Sequence, residues 1–158
     1  MDALARRIGR RLKAAGKKLV TAESCTGGWV AQTVTSVAGS SGWFERGFVT
    51  YSNASKQDLL GVRKRTLKVH GAVSEETARE MARGALARSK GTLAVAVTGV
   101  AGPGGGSRDK PVGMVCFAWA RGKTIASETR RFRGNRQRVR RASVVRALQG
   151  VLETLAGG

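Results

Sequence analysis

The chain has 158 residues, 41% of them hydrophobic, enough for one ordinary domain to close a single core without disulfide or metal staples. Twenty-nine Lys and Arg stand against ten Asp and Glu, a formal charge of +19, which favours anionic partners: a phosphorylated small molecule, nucleic acid or an acidic surface. No apolar run approaches the roughly 18 residues of a membrane span. The opening MDALARRIGRRLKAAGKK also lacks the apolar segment of a secretory signal, so a cytoplasmic protein is expected.

Leu4, Ile8 and Leu12 repeat at helical spacing and predict an amphipathic helix ending near Gly16. KLVTA at 18–22 reads as a strand, ESCTGG as a glycine turn, and Trp29 to Val37 as a second helix. Ser41 is expected to cap a short helical turn through Gly42, Trp43, Phe44 and Glu45. Gly47 then reverses the chain into a strand, GFVTY, at 47–51. His70 closes a helix before Gly71, a place where a histidine interacts with the helix C-terminus more readily than with a substrate. Ser74 followed by Glu75 and Glu76 is a helix start, the hydroxyl capping free N–H groups and the acids facing the positive end of the dipole. LAVAVTG at 93–99 has the continuous apolar character of a strand covered on both faces. Residues 112–120 and 124–132 form a hairpin around Arg121 and Gly122, and Asn135 caps a last helix that keeps its apolar period to Leu155. Helices alternating with buried strands, plus one late hairpin, predict a single three-layer α/β domain over 1–158 with a mixed sheet. The only long stretch without a period is GVAGPGGGSRDKP, 99–111, long enough to suggest a functional loop.

A single histidine leaves no room for a multi-His metal site, and Cys25 and Cys116 are too isolated for a disulfide framework or zinc motif. Both thiols are expected to be reduced. A hydrolytic base must then come from elsewhere, and a lysine serves when burial lowers its pKa. Within GSSGWFERGFVTYSNASK, residues 39–56, the fold-back just described would bring Ser41, Tyr51 and Lys56 together as a nucleophile, a phenol and an amine. The same stretch also reads as a capped turn followed by an edge strand. TAESCTGG, 21–28, is a strand running into a helix through paired glycines, a junction that points free N–H groups at an anion. It could also activate Cys25 as a nucleophile.

ESCTGG, GSSGWFERGFVTYSNASK, HGAVSEETAREMA and TGVAGPGGGSRDKPVG, in this order and spacing, closely resemble the CinA C-terminal domain family over residues 5–155. The resemblance implies an α/β/α fold around a mixed, mostly parallel five-stranded sheet, a homo-oligomer, expected to be a dimer, and no metal or other cofactor. It implies deamidation of a pyridine nucleotide, nicotinamide mononucleotide, to nicotinate mononucleotide. Ser41, Tyr51 and Lys56 match the family's catalytic serine, tyrosine and lysine, and Arg136 its arginine at the start of the last helix. Thr26, Gly27, Thr98, Gly99 and Gly102 join Arg136 as expected substrate-binding positions. The rival expectation is a non-catalytic competence- or DNA-damage-related domain that uses its basic charge to bind nucleic acid or another partner. No membrane partner is expected.

Overall fold

The structure is a computed structural model that describes residues 1–157. Its elements are α1 (Asp2–Ala14), β1 (Leu19–Glu23), α2 (Trp29–Thr35), β2 (Phe44–Val49), α3 (Asn53–Leu60), α4 (Lys64–His70), α5 (Glu75–Ala87), β3 (Leu93–Gly99), β4 (Met114–Arg121), β5 (Thr124–Arg131) and α6 (Arg136–Ala156), with a 3-10 turn at Ser40–Gly42 before β2. The five strands form one sheet in the order β2-β1-β3-β4-β5. β1 pairs parallel with both β2 and β3, while β3–β4 and β4–β5 are antiparallel. The sheet is therefore mixed in equal parts and not mostly parallel: the two-residue turn at 122–123 can join only antiparallel neighbours, and the long glycine loop returns β4 antiparallel beside β3. No helix among the described residues is long and apolar enough to cross a membrane.

Helices cover both faces, and the strand sequence decides which helix lies where. In β3, Leu93, Val95 and Val97 point to the face covered by α1, α2 and α6, where they pack with Ile8, Leu12, Val30, Val144 and Leu148. The alternate residues Ala94 and Ala96, with Ala118 and Ala120 of β4, face Ala78, Met81, Ala82 and Ala85 of α5. Small side chains on both partners let α5 approach the sheet closely. Gly84 extends this on the side of α3: a Cβ there would lie 1.9 Å from the Leu60 carbonyl oxygen. On the opposite face Trp119 stacks on Phe117 and donates its indole N–H to the Ala147 carbonyl (2.9 Å), fixing α6.

The register positions the site. Glu23 lies opposite Val49 on one side and Val97 on the other, so three parallel strands end at one edge. The chain steps from β1 outward to β2 and then back across to β3, which makes the carboxyl edge beside β1 a topological switch point, where open α/β sheets place ligands. Ser24, Thr50 with Tyr51, and the loop after Gly99 all leave from there.

Candidate active site

Lys56 is the largest fully buried side chain, at 1% exposure. It is carried by α3, whose start is fixed by a reciprocal cap: the Ser52 hydroxyl accepts from the Ser55 N–H (3.0 Å) and the Ser55 hydroxyl from the Ser52 N–H (3.1 Å). Lys56 turns inward from the first turn of this helix. Its Nζ donates to the carbonyls of Thr50 (2.8 Å) and Tyr51 (3.2 Å) and lies 2.9 Å from Ser24 Oγ. Burial lowers its pKa from 10.5 to about 8, the neighbouring Cys25 opposing this. The geometry suits both protonation states. As an ammonium the group donates three bonds; as a neutral amine its two N–H groups stay on the two carbonyls and its lone pair faces the Ser24 hydroxyl.

Ser24 is held by the end of β1. Its N–H donates to the Val97 carbonyl (2.9 Å), and the turn that follows is closed by Glu23, a buried carboxylate that accepts from Thr26 Oγ1 (2.7 Å) and from the N–H groups of Val30 (2.8 Å) and Ala31 (3.0 Å). Glu23 thus satisfies the free N-terminal donors of α2 from outside the helix. Gly27 and Gly28, at φ 60° and 100°, take the left-handed backbone the turn requires. Arg140 donates to the carbonyls of Cys25 (3.0 Å) and Thr26 (3.2 Å) and lies over the Trp29 ring.

The opposite wall is the loop after β3. Thr98 Oγ1 donates to the Ala72 carbonyl (2.8 Å). Arg136, the first residue of α6, donates one guanidinium nitrogen to the Gly102 carbonyl (2.9 Å) and another to the Tyr51 hydroxyl (3.2 Å). Asn135 caps this helix, accepting from the Arg138 N–H. Between these walls lies a cavity of about 310 Å³ bounded by Ser24, Tyr51, Lys56, Thr98, Gly102 and Arg136, a volume that suits a small ligand.

The structure gathers Tyr51, Lys56, Thr98, Gly99, Gly102 and Arg136 around this cavity. It leaves out Ser41, Thr26 and Gly27. Ser41 lies in the 3-10 turn at the amino end of β2, and β2 then runs its six residues, Phe44 to Val49, toward Tyr51. That strand alone separates the two ends by about 16 Å. The expected fold-back does not form because the Trp43 carbonyl accepts from the Leu19 N–H (2.8 Å) and Phe44 already pairs with β1. The Trp43 side chain goes into the core. Thr26 is spent on Glu23, and Gly27 shapes the turn. The Tyr51 phenol bonds Arg136, and it is the Tyr51 backbone carbonyl that meets Lys56, so no phenol relay joins the lysine to a serine. Cys25 is no thiolate: burial pushes its pKa up to about 12. His70 closes α4 and lies 3.7 Å from Glu76, as a residue of the helix end.

The residue missed in sequence is Ser24. The signal was present: it opens the turn just beyond the strand predicted at 18–22, Tyr51 ends another, and parallel pairing of neighbouring strands brings such ends together.

The profile of the CinA C-terminal domain family matches residues 1–155. The chain is 55% identical over 150 residues to nicotinamide-nucleotide amidohydrolase PncC of Escherichia coli K12, covering 92% of this chain and 89% of that protein. It is 52% identical to nicotinamide-nucleotide amidohydrolase PncC of Pseudomonas putida, covering 95% and 94%. The crystal structure of competence/damage inducible protein CihA from Agrobacterium tumefaciens superposes with a TM-score of 0.94 at 48% identity, over 98% of this chain and 94% of that one. With nearly its whole length matched, and with the carboxyl-edge cavity built from the motifs that first suggested the likeness, the chain belongs to the CinA C-terminal domain family.

Proposed function

We propose that this chain hydrolyses the carboxamide of nicotinamide mononucleotide to nicotinate mononucleotide and ammonia, the activity for which its 55%-identical relative is named. The observation that carries the mechanism is the 2.9 Å contact between Ser24 Oγ and the buried amine of Lys56 at the cavity. Ser24 is the nucleophile and replaces Ser41 in that role. Neutral Lys56, anchored by the Thr50 and Tyr51 carbonyls, takes the hydroxyl proton as Oγ attacks the carboxamide carbon. The tetrahedral oxyanion is met by the backbone N–H groups of Cys25 and Thr26 or of the glycine loop, the Ser24 N–H being held by the Val97 carbonyl. Lys56 then returns its proton to the departing nitrogen, which leaves as ammonia, and an acyl-serine remains. Water, deprotonated by the same amine, attacks that ester; Ser24 Oγ departs, takes the proton back from Lys56, and the pyridine carboxylate is released.

Arg136 stands beside Tyr51 and Gly102 with its guanidinium toward the cavity, and serves the substrate phosphate. The exposed Tyr51 ring (62%) offers a π-face to the cationic pyridinium. Ammonia release from nicotinamide mononucleotide is the test. Ser24→Ala is expected to abolish turnover in a folded protein, while Ser41→Ala, altered at the far end of β2, keeps it. Turnover retained by Ser24→Ala, or lost only in Ser41→Ala, refutes the assignment.

A further inference from the structure

We propose that the outer face of α1 is a docking surface for the phosphate backbone of double-stranded nucleic acid, separate from the Ser24 cavity. Arg6, Arg7, Arg10, Arg11 and Lys13 are all exposed on this helix, and Asp2 is its only acid. At 100° and 1.5 Å per residue, Arg6, Arg10 and Lys13 form one row and Arg7 and Arg11 a second, together about 10 Å long. The two rows bound the solvent side of the helix, away from the buried Ala5, Ile8 and Leu12. Among the described residues none of these five side chains has a carboxylate within ion-pair distance.

Six of the ten acids of the chain are engaged elsewhere. Glu45 pairs with Arg46, Glu80 with Arg63, and Glu128 and Glu153 with Arg146, while Glu23 is buried and Glu75 accepts from Ser127 and Thr129. Within its 13 residues α1 therefore carries five positive charges that are unpaired among the described residues. Of the other basic helices, α6 spends Arg136, Arg140 and Arg146 on contacts within the fold and leaves Arg138 and Arg141 exposed, and the short α4 exposes Lys64, Arg65 and Lys68, each fewer than the five on α1.

The chemistry of the face selects its partner. A duplex presents one negative charge per about 1.7 Å of axis over its two strands, so a stretch about 10 Å long carries roughly six phosphates, enough to engage five cations. Arg6, Arg10 and Lys13 also line a cleft of about 210 Å³ between α1 and the segment from Val37 to Trp43, a recess in which three cations converge. A lipid surface fits less well, because Ala5, Ile8 and Leu12 are committed to the core and leave α1 no apolar stripe to insert. A single strand fits less well because the face has no exposed aromatic for base stacking; Trp43 is 3% exposed. The cleft lies where α1 and the turn before β2 meet, at the amino edge of the sheet, whereas hydrolysis is assigned to the carboxyl edge. Binding and turnover should separate.

The test is fluorescence anisotropy of a labelled 20-base-pair duplex with the full chain from 50 to 200 mM NaCl. Five phosphate contacts predict a log–log slope of about −4.5 and an affinity loss of about 500-fold across that range. The variant Arg6→Gln/Arg7→Gln/Arg10→Gln/Arg11→Gln is expected to bring the slope to about −1 while ammonia release stays at the wild-type rate. Arg→Lys at the same four positions keeps the slope, and Lys64→Gln/Arg65→Gln/Lys68→Gln on α4 leaves it unchanged. Circular dichroism checks that each variant is folded. A glutamine variant with the wild-type slope overturns the proposal, as does an equal loss in the α4 variant, which would mark a diffuse field. So does α1-dependent binding to phosphatidylserine vesicles without binding to duplex.

Discussion

Replacing Lys56 by Met tests the buried amine through stability as well as through activity. In the folded chain the amine titrates near pH 8; in the unfolded chain it returns to about 10.4. The unfolded state therefore binds more protons between these values, and stability must rise with pH across the window. Below pH 8 both states are protonated and the slope vanishes, with the full cost of burying the charge in force. At about 1.4 kcal/mol per pKa unit, that cost is about 3 kcal/mol, of which about 2.5 kcal/mol is recovered between pH 7 and pH 10. Lys56→Met also removes donors to the Thr50 and Tyr51 carbonyls, but that loss does not depend on pH. Urea denaturation of both proteins at pH 7, 8, 9 and 10 isolates the lysine: the wild-type free energy should climb relative to the variant by about 2.5 kcal/mol. Parallel curves would refute the burial argument and with it the neutral base. The same titration predicts kcat/KM for ammonia release rising with pH and reaching half its plateau near pH 8. Lys56→Arg, which cannot deprotonate in this range, should be inactive at every pH.

Arg136→Ala removes a charge at the cavity that in the free chain holds Gly102 and Tyr51; kcat/KM is expected to fall about 10- to 100-fold, the worth of a hydrogen bond to a charged group. Arg136→Lys should recover only part of it, since one ammonium cannot span both partners and a phosphate. An unchanged kcat/KM in the alanine variant removes Arg136 from the site. Gly84→Ala places a methyl 1.9 Å from the Leu60 carbonyl oxygen, backbone that cannot swing aside, and should cost about 3 kcal/mol of stability by urea denaturation. A cost under about 1 kcal/mol would mean that α3 and α5 are not held as closely as argued. Because α3 carries Lys56, turnover should fall with the loss of packing.

Much of the fold was written locally. The LAVAVTG run became β3 with the same bounds, Ser74 and Asn135 cap the helices they were expected to cap, and the hairpin turns where Arg121 and Gly122 predicted. Each of these signals acts over a few residues. What was not legible was set by pairing. The start of β2 at Phe44, three residues earlier than its pattern suggested, follows from its alignment with Leu19, and the equal share of parallel and antiparallel neighbours follows from where β4 and β5 add. α3 was missed because NASKQDLL carries only a weak apolar period; its helix is held by the Ser52–Ser55 cap and the glycine stop at Gly61.

The misplaced serine follows the same division. Ser41 is the serine the family resemblance implies and lies in the same stretch as Tyr51 and Lys56, but the helical turn needed to fold it back would have had to outcompete strand pairing of residues 44–49 with β1. Strand pairing prevails because β2 gains a parallel ladder along β1, while the turn would gain only its own few bonds. The ladder that carries Ser41 away also brings Ser24 in, since parallel neighbours in register end together and the residue after Glu23 meets the chain after Val49. Ser24 and Lys56 lie 32 positions apart and touch only once β1, β2 and α3 are all in place. A base whose pKa is lowered chiefly by burial has the same requirement: Lys56 is an ordinary ammonium until the fold removes its water. The proposed nucleophile and base are thus products of one packing event, and a variant that frees α3 from the sheet should lose the reactivity of both together.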